Sequence, residues 1–271
     1  EEGKPVPVIF GTVRQTGPNV TWYGDLSSKA IKKKSLFSSA NSGYRYFMGI
    51  QFLSGIGPAD ALTRVEVGEK LAWSGSQTTT GNLTIDQPNL FGGKNREGGL
   101  SGVLEVRMGE DAQTASTYLE SKLGSPQSAD RGLITTVFRS GDGTKGGYIG
   151  NSAYPKPWAF TWRRILKGWV NDAPWYSAAA AIGTSMNPAH IIYQTLTDPE
   201  WGMGVPASAL DDTVFRDAAD DFVAEGFGLD LQLTQQVATE DFLQIVLDHV
   251  GGLLRFNHAT GLIELKLLRG D

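Results

Sequence analysis

The stretch from Asn187 to Gly204, NPAHIIYQTLTDPEWGMG, constrains this chain more than any other because it marks both ends of one helix. An asparagine side chain can accept a hydrogen bond from a free amide of a first helical turn, and a proline at the next position gives up no donor the helix would have used. A helix therefore begins at Pro188. Ile191, Ile192, Tyr193 and Leu196 supply apolar side chains at helical spacing. Asp198-Pro199 stops the helix, since the residue before a proline is pushed out of the α region. Trp201-Gly202-Met203-Gly204 then reads as a turn. Upstream of this pivot the pattern is sheet; downstream it is helix, helix, hairpin. The sequence predicts a β-rich α+β fold in two modules. Residues 1–175 form a β-rich module with an insertion at about 85–150, and residues 176–271 form an α+β module with helices near 188–198, 212–225 and 240–250 before a β-hairpin.

At 271 residues and 40% hydrophobic content the chain can bury two cores. A net charge of -5 and a pI near 5.3 provide no general attraction to nucleic acid or to an anionic membrane. The absence of cysteine excludes a disulfide framework, a thiolate nucleophile and a cysteine metal cluster. No apolar run approaches the roughly 18 to 20 residues that span a bilayer, so no membrane anchor is expected. The start at Glu1-Glu2-Gly3 and the end at Leu268 to Asp271, just after a strand-like run, suggest a piece of a longer polypeptide.

Along the chain, Val6 to Val13 reads as a strand with a break at Gly11, followed by a turn at Gly17-Pro18-Asn19 and a return through Val20 to Tyr23. Lys29 to Lys34 and the serine-rich Ser35 to Ser42 read as an exposed, mobile loop, with phosphate binding weighed against the acidic total and set aside. Tyr44 to Leu53 is the strongest strand, and Leu62–Val67 with Lys70–Trp73 form a hairpin about Gly68-Glu69. Leu90 to Gly102, with five glycines, reads as a flexible excursion. Strands are expected at Leu104–Met108 and Gly132–Arg139, a short helix at Asp111–Leu123, and a hairpin turn at Gly143–Gly147. Trp158, Phe160 and Trp162 share one strand face, which favours core over sugar stacking. Downstream, Asp211 or Asp212 caps a helix with the stripe Phe215, Ala218, Ala219, Phe222 and Val223. Thr239 caps another, with Phe242, Ile245, Val246 and Val250 inward. Leu253–Phe256 and Leu262–Leu268 then pair as a hairpin.

No catalytic, cofactor-binding or metal-ligating residue emerges, and an enzyme is not expected. Gly55-Ile56-Gly57 lacks the third glycine of a dinucleotide fingerprint, with Asp60 in its place, and no Walker spacing occurs. His190, His249 and His258 fall on separate elements without metal-ligand spacing. The acidic residues of the 212–225 helix have no calcium-loop spacing and read as a solvated face.

Taken together, GKPVPVIFGTVRQTGPNVTW, DQPNLFGGKNREGG, PWAFTWRR, the pivot and GGLLRFNHATGLIEL resemble the central hub of long-tailed bacteriophages. That family includes the tail tip attachment (protein J-like) proteins of lambda-like phages, prophages and gene transfer agents. The resemblance implies small β-barrel hub modules, and a ring of three copies that caps the tail tube at the virion tail tip. It also implies contacts with the distal tail protein and the tape-measure protein, and fibre or receptor-binding parts beyond Asp271. It supplies no catalytic residue, cofactor or specific nucleic-acid contact. The candidate partner-contact loops carry Lys32, Lys33 and Lys34 in one segment and Lys94, Asn95 and Arg96 in the other. The rival readings are a glycan-binding or cell-wall-degrading module with Trp158, Trp162, Trp169 and Trp175 as a stacking surface, and a contractile or toxin-injection tip of the same architecture.

Overall fold

The computed structural model describes residues 4–34, 39–170, 173–234 and 239–269, without the side chains of residues 33–34 and 39–42. Among the described residues seven strands precede the first helix: β1 (Val8–Thr16), β2 (Asn19–Lys34), β3 (Ser39–Ile56), β4 (Ala61–Val67), β5 (Lys70–Gln77), β6 (Gly81–Gln87) and β7 (Leu100–Arg107). Helix α1 (Thr117–Leu123) is followed by β8 (Leu133–Arg139), β9 (Gly147–Gly150), β10 (Trp158–Arg164), and the short pair β11 (Ala181–Ile182) and β12 (Ser185–Met186). Then come α2 (Pro188–Thr197), α3 (Asp212–Glu225), β13 (Leu231–Leu233), α4 (Thr239–Val250), β14 (Gly252–Asn257) and β15 (Leu262–Leu267). The fold is β-rich α+β, as the sequence predicts. Its contacts group into two units, one of Glu1–Val6 with Arg14–Trp162 and one of Pro7–Val13 with Arg163–Asp271.

In the first unit the antiparallel order is β2-β3-β8-β7-β6. Strand β9 continues the line of β8: along β3, Phe138 lies opposite Ile50 and Tyr148 opposite Phe47, while along β7, Arg139 lies opposite Val103 and Tyr148 opposite Ser101. Residues 140–146 therefore loop out of one strand position, which corrects the expected hairpin turn at 143–147. The loop closes on itself. Ser140 N–H donates to Lys145 O at 2.9 Å, and the Asp142 carboxylate accepts from the Ser140 hydroxyl at 2.5 Å and the Thr144 amide at 3.1 Å. Glycine is required at 146 and 147, where a Cβ would run into the Met48 backbone and the Phe138 ring.

Other expectations in this unit shift for local reasons. Val20 to Tyr23 pairs with β3 instead of returning along β1. Residues 29–34 and 39–42 extend β2 and β3, with Ala30 opposite Tyr44 and Lys32 opposite Asn41, so the supposed loop is mostly ribbon; residues 35–38 lie outside the described residues. Ile31 is buried between exposed Ala30 and Lys32, an alternation compatible with a strand that a run of lysines obscures. The short helix covers only 117–123, because the Ser116 side chain caps it and the Gln113 amide is taken up by the backbone at Gly109, Ala129 and Asp130. The hairpin of β4 and β5 turns at Gly68 and Glu69, both with positive φ, as its two-residue length demands. Trp158, Phe160 and Trp162 are buried, and Trp158 packs 5.3 Å from Phe52 and 5.1 Å from Phe138.

The second unit is built around α2, of which every residue from Pro188 to Leu196 is buried. Asn187, itself fully buried, does more than cap it. Its Oδ1 accepts from Ala189 N–H at 2.9 Å, and its Nδ2 donates to Ala179 O at 3.0 Å and Ala219 O at 2.9 Å. One side chain thus joins the turn before the helix, the helix and α3. At the other end the chain doubles back: the amides of Met203, Gly204 and Val205 reach the carbonyls of Thr195, Asp198 and Leu196. Gly202 is needed for that approach, since a Cβ there would meet Thr195 O at 2.6 Å and Asp198 O at 2.7 Å. Phe10 of β1 packs against Trp201 of this turn and Phe242 of α4.

Asp211 caps α3 and left-handed Gly226 ends it, with Phe215, Ala218, Ala219 and Phe222 inward; Val223, expected inside, is 46% exposed. In α4 the buried set is Phe242, Leu243, Val246, Leu247 and Val250, and Ile245 is 63% exposed. The stripe is rotated by one residue at its edge, a choice made by the packing partner. Strands β14 and β15 form the expected terminal hairpin.

Replacing Asn187 by alanine removes a cap and takes a buried donor from the carbonyls of Ala179 and Ala219, so Asn187→Ala is expected to lower unfolding free energy by about 2 kcal/mol in urea titrations. A loss of no more than about 0.5 kcal/mol would show that the buried amide is dispensable.

Candidate functional site

The two sets of candidate contact residues sit on different kinds of support. Lys94, Asn95 and Arg96 form the exposed tip of the loop joining β6 to β7. That loop is ordered by its own backbone: Gly93 N–H donates to Gly98 O at 3.0 Å, Gly98 N–H donates to Gly93 O at 2.9 Å, and Arg96 N–H donates to Gly93 O at 3.0 Å. Asn151 Nδ2 holds Arg96 O at 2.9 Å, Lys156 pairs with Glu97 at 2.7 Å, and buried Phe91 anchors the base. The flexible excursion expected over 90–102 is thus corrected to a braced loop, and Leu100 to Gly102 already belong to β7. The glycines at 92, 93 and 98 supply left-handed turns there, and composition alone cannot distinguish that use from chain freedom.

Lys32 lies exposed near the end of β2. Lys33 and Lys34 belong to the same strand, and their side chains lie outside the described residues.

Two grooves of similar volume lie one in each unit. The one in the first unit, about 430 Å³, is walled by Pro18, Tyr23, Met48, Phe52, Pro157 and Trp158, and is almost wholly apolar. The one in the second unit, about 440 Å³, borders Trp169, Trp175, Tyr193 and Asp198. Its tryptophans serve packing: Trp169 is buried, and Trp175 stacks on Tyr193 at 4.3 Å, donates its Nε1–H to Asp212 at 2.7 Å and has the Arg216 guanidinium 5.7 Å from its ring. With Trp158 and Trp162 also buried, the four tryptophans do not form the sugar-stacking surface of the rival reading.

The histidines are dispersed. His249 and His258 are exposed on α4 and in the last turn, whereas His190 is fully buried with its Nε2 3.0 Å from Tyr176 O. That geometry calls for the tautomer protonated at Nε2. Burial pushes the imidazole down from the usual 6.5 to about 4. Among the described residues no group of three or more His, Asp or Glu is placed to hold a metal ion.

No protein-family model matches the sequence, and no curated protein matches it. Among solved structures, a chain from the virion of a native gene transfer agent particle shares the fold across 100% of this chain, with a TM-score of 0.56 at 11% sequence identity. This chain spans 54% of that one.

Because His190 is neutral in the folded state and protonates more readily once unfolded, its contribution is fully present above pH 6.5 and is lost as pH falls toward 4. The loss amounts to about 3 kcal/mol. Unfolding titrations at pH 7 and pH 4.5 are expected to show a smaller pH-dependent loss for His190→Gln than for the parent; identical losses would contradict a neutral buried imidazole.

Proposed function

We propose that this chain is a structural component of a phage-like particle, and that it serves as the hub of the tail tip. In this reading three copies close the tail tube and connect it to the distal tail protein, the tape-measure protein and fibre or receptor-binding parts. The observation that carries it is the fold shared with a virion chain over the whole length of this one. The hub assignment within the particle comes from the resemblance of the pivot and the accompanying segments. The apolar character of the groove in the first unit supports a role played by shape and contact.

The braced tip at Lys94, Asn95 and Arg96 and the lysines of β2, Lys32, Lys33 and Lys34, act as partner contacts. A loop already held by its backbone loses little entropy when a neighbour covers it.

Cryo-electron microscopy of the parent particle should find this fold in a threefold ring at the distal end of the tail tube. Density for it in the capsid or along the tube wall would overturn the hub assignment. Substituting Lys94, Asn95 and Arg96 together by glutamate should lower the yield of complete particles about tenfold while the isolated protein keeps its unfolding midpoint within about 2 °C. Normal particle yield would remove this loop from the contact surface.

A further inference from the structure

Between Asp25 and Asp60 the sequence carries five cations, Lys29, Lys32, Lys33, Lys34 and Arg45, and no carboxylate, within a chain of net charge -5. The fold places these five residues on the paired strands β2 and β3. Residues 39–45 of β3 pair with β2, whereas β9 joins β3 only from Tyr46 and β8 only from Ile50. A ribbon of two strands is marginal without cover.

One face of it is both cationic and aromatic. Lys29 lies opposite Arg45, and Phe47 lies opposite Tyr148, with 5.7 Å between the rings. Lys145 Nζ stands 4.8 Å from the Phe47 ring and the Arg45 guanidinium 5.9 Å from that of Tyr148. Lys29, Arg45 and Lys145 are all exposed.

Helix α3 has the opposite character. From Asp211 to Glu225 it carries six carboxylates against the single guanidinium of Arg216. Asp217 and Asp221, one helical turn apart, are exposed on the same side of the helix.

We propose that the cationic–aromatic face of the ribbon docks on the acidic face of α3 in a second copy of this chain. The two patches differ, so the contact is head-to-tail, the kind that closes into a ring when the rotation permits. Exposed Lys29, Arg45 and Lys145 against exposed Asp217 and Asp221 give the charge complementarity that orients such an encounter. Single-stranded nucleic acid is the poorer fit. Bases need free ring faces, and Lys145 and Arg45 already engage Phe47 and Tyr148. The inference rests on charge and exposure and does not require the tail-tip assignment.

The native lack of cysteine makes the test direct. A Lys29→Cys chain and an Asp217→Cys chain of distinguishable size, mixed under mild oxidation, are expected to form a mixed disulfide dimer on non-reducing gels. Its yield should fall several-fold between about 0.05 M and about 0.5 M salt, as the screening length shrinks from about 14 Å to about 4 Å. Adding Arg45→Glu to the first chain should lower the yield about tenfold, and adding Asp221→Lys to the second should restore it. Mixed dimers no more abundant than the like-with-like dimers, a yield indifferent to salt, or an unrescued charge reversal would each overturn the proposal. The particle map tests the tail-tip role separately, so failure of one is distinguishable from failure of the other.

Discussion

The second unit depends on the Asn187 carboxamide. A fully buried amide is costly unless all its hydrogen-bonding capacity is used, and here Oδ1 caps a helix while both Nδ2 protons reach carbonyls on other segments. Because α2 is buried from Pro188 to Leu196, it cannot obtain its end groups' partners from water. Asn187 satisfies one end, and the chain reversal through Gly202 satisfies the other. Arg164, only 1% exposed, links this helix to β1 by donating to Ile9 O and Gln194 Oε1. The polar groups therefore specify one arrangement of a core that apolar contacts alone would leave free to slide.

The first unit relies on a different economy. Its sheets are held by aromatic layers centred on Trp158 and Phe160, and a few partly buried ion pairs hold its short helix. Glu105 accepts from Arg139 and from the Ser116 hydroxyl, which also caps α1, while Asp25 accepts from the Tyr118 hydroxyl and pairs with Lys122. Burial of Tyr118 and its bond to Asp25 push the phenol well above its ordinary range, so it remains a donor. These contacts fasten a seven-residue helix that is too short to persist by itself.

What could be read from the sequence follows from how local each signal is. Caps and breakers act within a few residues, so the limits of α2 and α3 and the turns at Gly68-Glu69 and Gly226 were legible. The alternation of Trp158, Phe160 and Trp162 correctly marked a buried strand. Strand partnership was not legible: nothing near Val20 announces that it pairs with β3, and nothing near Gly143 announces that β8 and β9 share a line. Glycine-rich and lysine-rich segments misled for one reason. Composition reports what a segment permits, whereas the braced loop at 90–99 and the ribbon at 29–34 depend on distant residues such as Asn151 and Tyr44. The candidate contact residues could be placed on exposed elements, but a partner's shape is not written in the residues that meet it.

The interrupted strand position of β8 and β9 has a consequence for how this fold can vary. Segment 140–146 leaves and re-enters the sheet without altering the register on either neighbour. Lengthening it would add only the entropy of a larger closed loop, about 0.6 kcal/mol for each doubling. The sheet thus contains a port through which extra chain, even a small folded module, could be threaded while the flanking strands stay in place.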